Sequence, residues 1–192
     1  MKGGISVDTS MGFTPLEGLV MATRSGSVDP GLLLWLEDHV GMPPSELATT
    51  LEHRSGLLGL CGSSDMRVIL QAEADGDADS ALAIGVYLHR LRAGIASMAA
   101  AMGGLDTLVF TGGVGEHAAP IRQRCAAELG FLGVAVDREA NEGAAGDREI
   151  GADGSQVRTL VVEAREDLEI ARGVHQVLAP SPVQTAEPAP ER

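Results

Sequence analysis

The stretch from Ala78 to Met102 constrains this chain most. Ile84, Leu88, Leu91, Ile95, Met98 and Met102 recur at spacings of 4, 3, 4, 3 and 4, which predicts one long helix with a continuous apolar seam. Gly103-Gly104 stops it, and Leu105–Thr111 then reads as a buried strand. Glycines follow at 112, 113 and 115, and a helix is predicted from Glu116 to about Leu129. Gly133–Val136 and Val157–Glu163 read as further strands, and Arg165–Leu178 as a last helix with Leu168, Ala171 and Val174 inward. Strands joined through helices imply an α/β chain, helix-rich with a small, mostly parallel sheet.

Upstream, Thr14-Pro15-Leu16-Glu17 has the capping hydroxyl, early proline and early carboxylate of a helix start, predicting a helix to about Thr23. Asp29-Pro30 starts another, with Leu32, Trp35, Leu36 and Val40 on one stripe, ending at Gly41. Pro43–His53 makes a third. Residues 57–64 read as a loop before a short helix over Asp65–Ala74. The first residues form no apolar run, so no secretory leader is expected, and no segment is long enough to span a bilayer. Cys61 and Cys125 stand alone, as expected of a reduced, cytoplasmic protein. Residues 179–192 carry four of the nine prolines and are expected to be a disordered tail, leaving 1–178 as one domain. A net charge of −13 without a Lys/Arg cluster excludes a nucleic-acid partner.

The strand–glycine–helix unit is the sharpest chemical feature. Glycines at a strand's mouth let backbone N–H groups approach a phosphate, and the following helix turns its positive end to the same place. Gly113-x-Gly115-x-x-Ala118, with Asp137 placed 24 residues on, also fits a loose dinucleotide fingerprint, the mark of an NAD-binding oxidoreductase. Glu166 and Asp167 open the last helix, where a carboxylate either complements the helix dipole or meets magnesium. Arg24, beside Ser25-Gly26, is either a helix-end cation or a clamp on a transferring phosphoryl group. Asp65 and Arg67 follow a Gly-Ser-Ser loop and read locally as cap and surface residues.

Four segments in order, SVDTSMGFTPLEGLVMATRSGSVD (6–29), SGLLGLCGSSDMR (55–67), FTGGVGEHAAPIR (110–122) and EDLEIAR (166–172), resemble the acetate kinase family. The resemblance implies the C-terminal half of an actin-like, sugar-kinase-like fold, a partial RNase H-like domain that binds nucleotide and pairs as a homodimer. It implies ATP or ADP and magnesium as cofactors, with acetate or another short carboxylate, or its acyl phosphate, as substrate. Arg24 matches the transition-state stabiliser, Asp65, Met66 and Arg67 the adenosine stretch, Gly113, Val114, Gly115, Glu116 and His117 the nucleotide loop, and Glu166 the magnesium ligand. His117 stands where the family often has Asn, Arg165 where Asn usually precedes the metal carboxylate, and Met66 where Phe is frequent. The family's Asn-x-Gly-Ser-Ser loop, acetate-site arginine, catalytic aspartate and transition-state histidine find no counterpart here. The expectation is therefore a chain inactive by itself, completed by a separate N-terminal half. A non-catalytic nucleotide-binding or dimerising remnant is the alternative.

Overall fold

The structure is a computed structural model, and it describes residues 1–178. The expected disordered tail at 179–192 lies outside the described residues.

Helix α5 (Ala78–Met102) is the spine. Asp77 caps its start, accepting from the Ser80 amide at 2.8 Å. Its end closes with Gly104 N–H on Ala99 O and Gly103 N–H on Ala100 O, at 2.9 and 3.1 Å. The seam divides in two. Ile84 and Leu88 are buried in the core with Ile69, Phe110, Ile121 and Val161, whereas Leu91, Ile95, Met98 and Met102 are half-buried and line a cavity of about 750 Å³ under residues 8–27.

Strand β1 (Thr107–Phe110) pairs in parallel with β3 (Arg158–Val161), Leu108 opposite Thr159 and Phe110 opposite Val161. The two-residue β2 (Arg148–Glu149) lies antiparallel on the far side of β3, giving the order β1-β3-β2. The sheet is thus mixed, not mostly parallel. The strand expected at 133–136 is reduced to single bridges, Val134 to Val157 and Val136 to Gly151. Asp137 ends it by capping α8 (Arg138–Glu142), accepting from Ala140 N–H at 2.7 Å, so the carboxylate read as a ribose ligand serves a helix start.

Three helices depart from expectation. Residues 14–23 form no helix: Thr14 Oγ1 does accept from Leu16 N–H at 3.3 Å, but Gly18 swings to φ +106°, outside helical space. There the chain folds back onto Ser27, whose amide reaches Gly18 O at 3.0 Å. Residues 57–64 are not a loop, because α3 spans Gly56–Cys61. The single helix expected from Glu116 to Leu129 starts earlier and is broken, into α6 (Gly112–His117) and α7 (Ala119–Ala127). Pro120 has no N–H for the Glu116 carbonyl, so the helix cannot run through it.

The others stand near their expected places: α1 (Pro30–Trp35), continued by one wide turn to Val40, α2 (Pro44–His53), α4 (Met66–Ala74) and α9 (Glu166–Leu178). The α1 stripe is largely exposed, with Trp35 stacked on His39 at 5.4 Å. Leu168, Ala171 and Val174 do not point into a core, since α9 buries no residue.

Candidate functional site

The site is built around the turn that leaves β1. Gly112 takes φ +71° to enter α6, and a Cβ added at Gly112 or Gly113 would meet nothing within 4 Å. The space above the turn is open, and Gly113 and Val114 hold first-turn amides that have no acceptor inside their helix. That environment suits an anionic oxygen.

Glu116 does not face this space as a free carboxylate. Its Oε1 accepts from Gly112 N–H and from Ala164 N–H, each at 2.8 Å. Ala164 lies between β3 and α9, two residues before Glu166, so this one oxygen ties the glycine turn to the base of the Glu166 helix. Residues on either side are anchored too. Glu163 N–H donates to Asp147 Oδ1 at 3.0 Å, and the Arg165 guanidinium to Asp147 Oδ2 at 2.9 Å. Those two donors hold the Asp147 carboxyl below its usual range.

The far end of α6 rests on Arg122, which is 1% exposed. Its guanidinium donates to Gly115 O (2.9 Å), Glu116 O (2.7 Å), Asn141 Oδ1 (2.7 Å) and Asn141 O (2.7 Å). It thereby serves the carbonyl that Pro120 leaves without a partner. No carboxylate is among these acceptors, and burial pushes the arginine's pKa down. Sequence reasoning missed Arg122, Asn141 and Asp147. The proline two residues before Arg122 was the available signal.

Arg24 sits in a loop at the start of α3. Met21 O and Ala22 O accept from the Leu57 and Leu58 amides, both at 2.9 Å, while Ser25 N–H reaches Leu51 O and Ser55 N–H reaches Thr23 O, both at 3.0 Å. The loop's carbonyls thus cap α3, and the exposed Arg24 side chain has no ion-pair partner among the described residues.

Past the other end of α3, Asp65 caps α4 and is gripped by Arg67, Nε to Oδ1 at 3.0 Å and a terminal nitrogen to Oδ2 at 2.6 Å. Met66 between them is buried in the core. The side-chain bond from Arg67 draws the Asp65 pKa down to about 2. A carboxyl depressed on folding contributes stability above its unfolded value of about 3.9, and that contribution is lost as pH falls toward 2. The Asp65 carboxyl signal in a pH titration is therefore expected to have its midpoint near 2 and to rise in Arg67→Ala, stopping short of about 4 because the backbone amides of residues 67 and 68 still donate to it. An unchanged midpoint in the variant would discard the pair as its cause.

The structure joins the glycine turn and Glu166 through Glu116. Among the described residues, no hydrogen bond links Arg24 or the Asp65–Arg67 pair to that assembly. His117 is exposed at the end of α6, and Glu166 is exposed at the start of α9. No three His, Cys, Asp or Glu side chains gather there as a metal cage among the described residues. Magnesium, which takes one or two carboxylates and completes its shell with water and phosphate, still fits Glu166 beside an open anion turn. No described helix is long and apolar enough to cross a membrane.

The Acetokinase family model matches residues 1–172. The acetate kinase of Gloeobacter violaceus is 50% identical over 179 residues, 93% of this chain and 44% of that protein. The acetate kinase of Clavibacter sepedonicus is 49% identical over 173 residues, 90% and 44%. Among solved structures, Porphyromonas gingivalis acetate kinase superposes with a TM-score of 0.81 at 40% identity, covering 88% of this chain and 43% of that one. A propionate kinase from Francisella tularensis gives 0.81 at 42%, covering 86% and 42%. The chain spans less than half the length of these relatives. The dinucleotide-oxidoreductase reading falls, since it rested on about thirty residues that this match also covers. On a family model matching nearly every described residue, the chain belongs to the acetokinase family.

Proposed function

We propose that this chain is the nucleotide and magnesium side of an acetate- or propionate-kinase-type phosphotransferase, interconverting ATP plus a short carboxylate with ADP plus the acyl phosphate. The observation that carries this is the open glycine turn at 112–115 tied through Glu116 to the segment that presents Glu166. The Gly113 and Val114 amides donate to phosphate oxygens, and the exposed Arg67 with Asp65 at the start of α4 faces the adenosine, Met66 lying buried beneath them. Arg24, without an ion-pair partner among the described residues and on a loop pinned by four backbone bonds, offers its guanidinium to the phosphoryl group in flight. Glu166 is the residue that would hold magnesium, which supplies neutralisation of phosphate charge. We assign the chain to the C-terminal, RNase H-like half of such an enzyme, cytoplasmic and paired as a homodimer.

In-line transfer depends on positioning from both sides of the phosphoryl group. The 192-residue chain alone is therefore expected to bind ADP more tightly with magnesium than with EDTA, yet to form no acyl hydroxamate from ATP, acetate and hydroxylamine. Adding the part of the Gloeobacter violaceus enzyme that this chain does not match is expected to restore turnover. Turnover by the chain alone would overturn the half-enzyme reading. ADP binding without rescue would leave a non-catalytic nucleotide-binding remnant.

A further inference from the structure

Residues 162–165 are held at every position, whereas α9, which follows at once, buries no residue. Val162 N–H donates to Phe110 O at 2.9 Å, continuing the β1–β3 pairing. After it, two carboxylates from elsewhere take over. Asp147 receives Glu163 N–H and the Arg165 guanidinium, and Glu116 receives Ala164 N–H while also holding Gly112 N–H. Arg165 stands in the field of Glu163 and Glu116 as well as Asp147. Since α9 buries no residue, no buried side chain further along the helix fixes where Glu166 stands among the described residues. Its position relative to the glycine turn is set by this anchor.

We propose that Glu116 and Asp147 are positioning residues: they fix the 163–165 segment against the strand-exit turn and so set the distance between the Glu166 carboxylate and the phosphates of a bound nucleotide. The proposal rests on the nucleotide reading above. It also gives Glu116 a task besides touching the nucleotide, because its Oε1 already accepts from two amides.

Amide exchange on the whole chain tests the anchor without any ligand. In Glu116→Ala, the Gly112 and Ala164 amides are expected to exchange about tenfold faster while Val162 is unchanged. Glu116→Gln keeps an acceptor oxygen and should stay near the parent. Asp147→Ala should release Glu163 but leave Gly112 protected, so it serves even if Glu116→Ala does not fold. Calorimetry then reads function as the ratio of ADP affinity with magnesium to that in EDTA. This ratio is expected to fall about tenfold in Glu116→Ala and to fall in Asp147→Ala, with metal-free ADP affinity preserved, and Glu116→Gln should retain it. Unchanged exchange at both amides overturns the anchor. Changed exchange with an unchanged ratio overturns the positioning role. A parent chain whose ADP affinity ignores magnesium overturns the nucleotide reading itself, and the positioning role with it, while the exchange result still decides the anchor.

Discussion

Arg122→Met is expected to be the most damaging single substitution in the chain, lowering the unfolding free energy by about 3 kcal/mol or more. Methionine fills much of the same space, so the loss isolates hydrogen bonding. Four acceptors are served by one guanidinium 1% exposed to solvent: two α6 carbonyls and two oxygens of the equally buried Asn141. Each buried oxygen left without a donor costs about 1–3 kcal/mol, less than additively because they share one site. For a chain of this size the melting temperature should drop by about 10 °C. Arg122→Lys keeps the charge but not the planar fork, and should recover only part of the loss. Thermal and urea unfolding measure both. A melting temperature within about 2 °C of the parent would mean water replaces the guanidinium at no cost, and the buried fork would lose its role.

The second large effect is expected at Gly56. Its φ is +62°, and an added Cβ would stand 2.2 Å from Met21 O and 2.7 Å from Arg24 O. Gly56→Ala therefore combines left-handed strain of about 1–2 kcal/mol with a collision against backbone that cannot turn aside. The Arg24 loop must lift off α3. A loss of at least about 2 kcal/mol is expected, together with trypsin cleavage after Arg24 roughly tenfold faster, since the loop's four backbone bonds go as a unit. Gly62→Ala is the contrast: φ is +75° but the added carbon meets open space, so only about 1–2 kcal/mol of strain applies and cleavage at Arg24 should not change. Equal cleavage rates in both variants would dismiss the steric account.

These two sites show what was legible in the sequence. Elements that carry their own boundary chemistry were readable: α5 with Asp77 before it and Gly103-Gly104 after it, α1 with Asp29-Pro30, and β1 as an apolar run closed by glycines. Elements whose boundaries are supplied from far away were not. Helix α3 has no side-chain cap, because Met21 and Ala22 carbonyls cap it from thirty-odd residues upstream, so residues 57–64 looked like a loop. The Thr14 start was a genuine local turn, overruled by the pairing of Gly18 with Ser27. The candidate site divides similarly. Its exposed members, Arg24, Arg67, Gly113 and Glu166, lie in segments distinctive enough to place. Those that hold the segments of Gly113 and Glu166 in place, Arg122, Asn141 and Asp147, act through partners 6 to 19 residues away and left no local pattern.

Helix α9 begins at an anchored base and exposes every residue from Glu166 to Leu178. A helix of thirteen residues with no packed face lies near the length at which helix and coil balance in water. Its first turn carries Glu166, Asp167 and Glu169, charges that favour the helical side of that balance but repel one another. With magnesium at Glu166, as proposed above, winding of the helix and capture of the cation would be one linked equilibrium. A cation there would relieve the repulsion among the three carboxylates and weaken Glu166's meeting with the helix's positive end, so it would favour whichever state of the helix binds it more tightly.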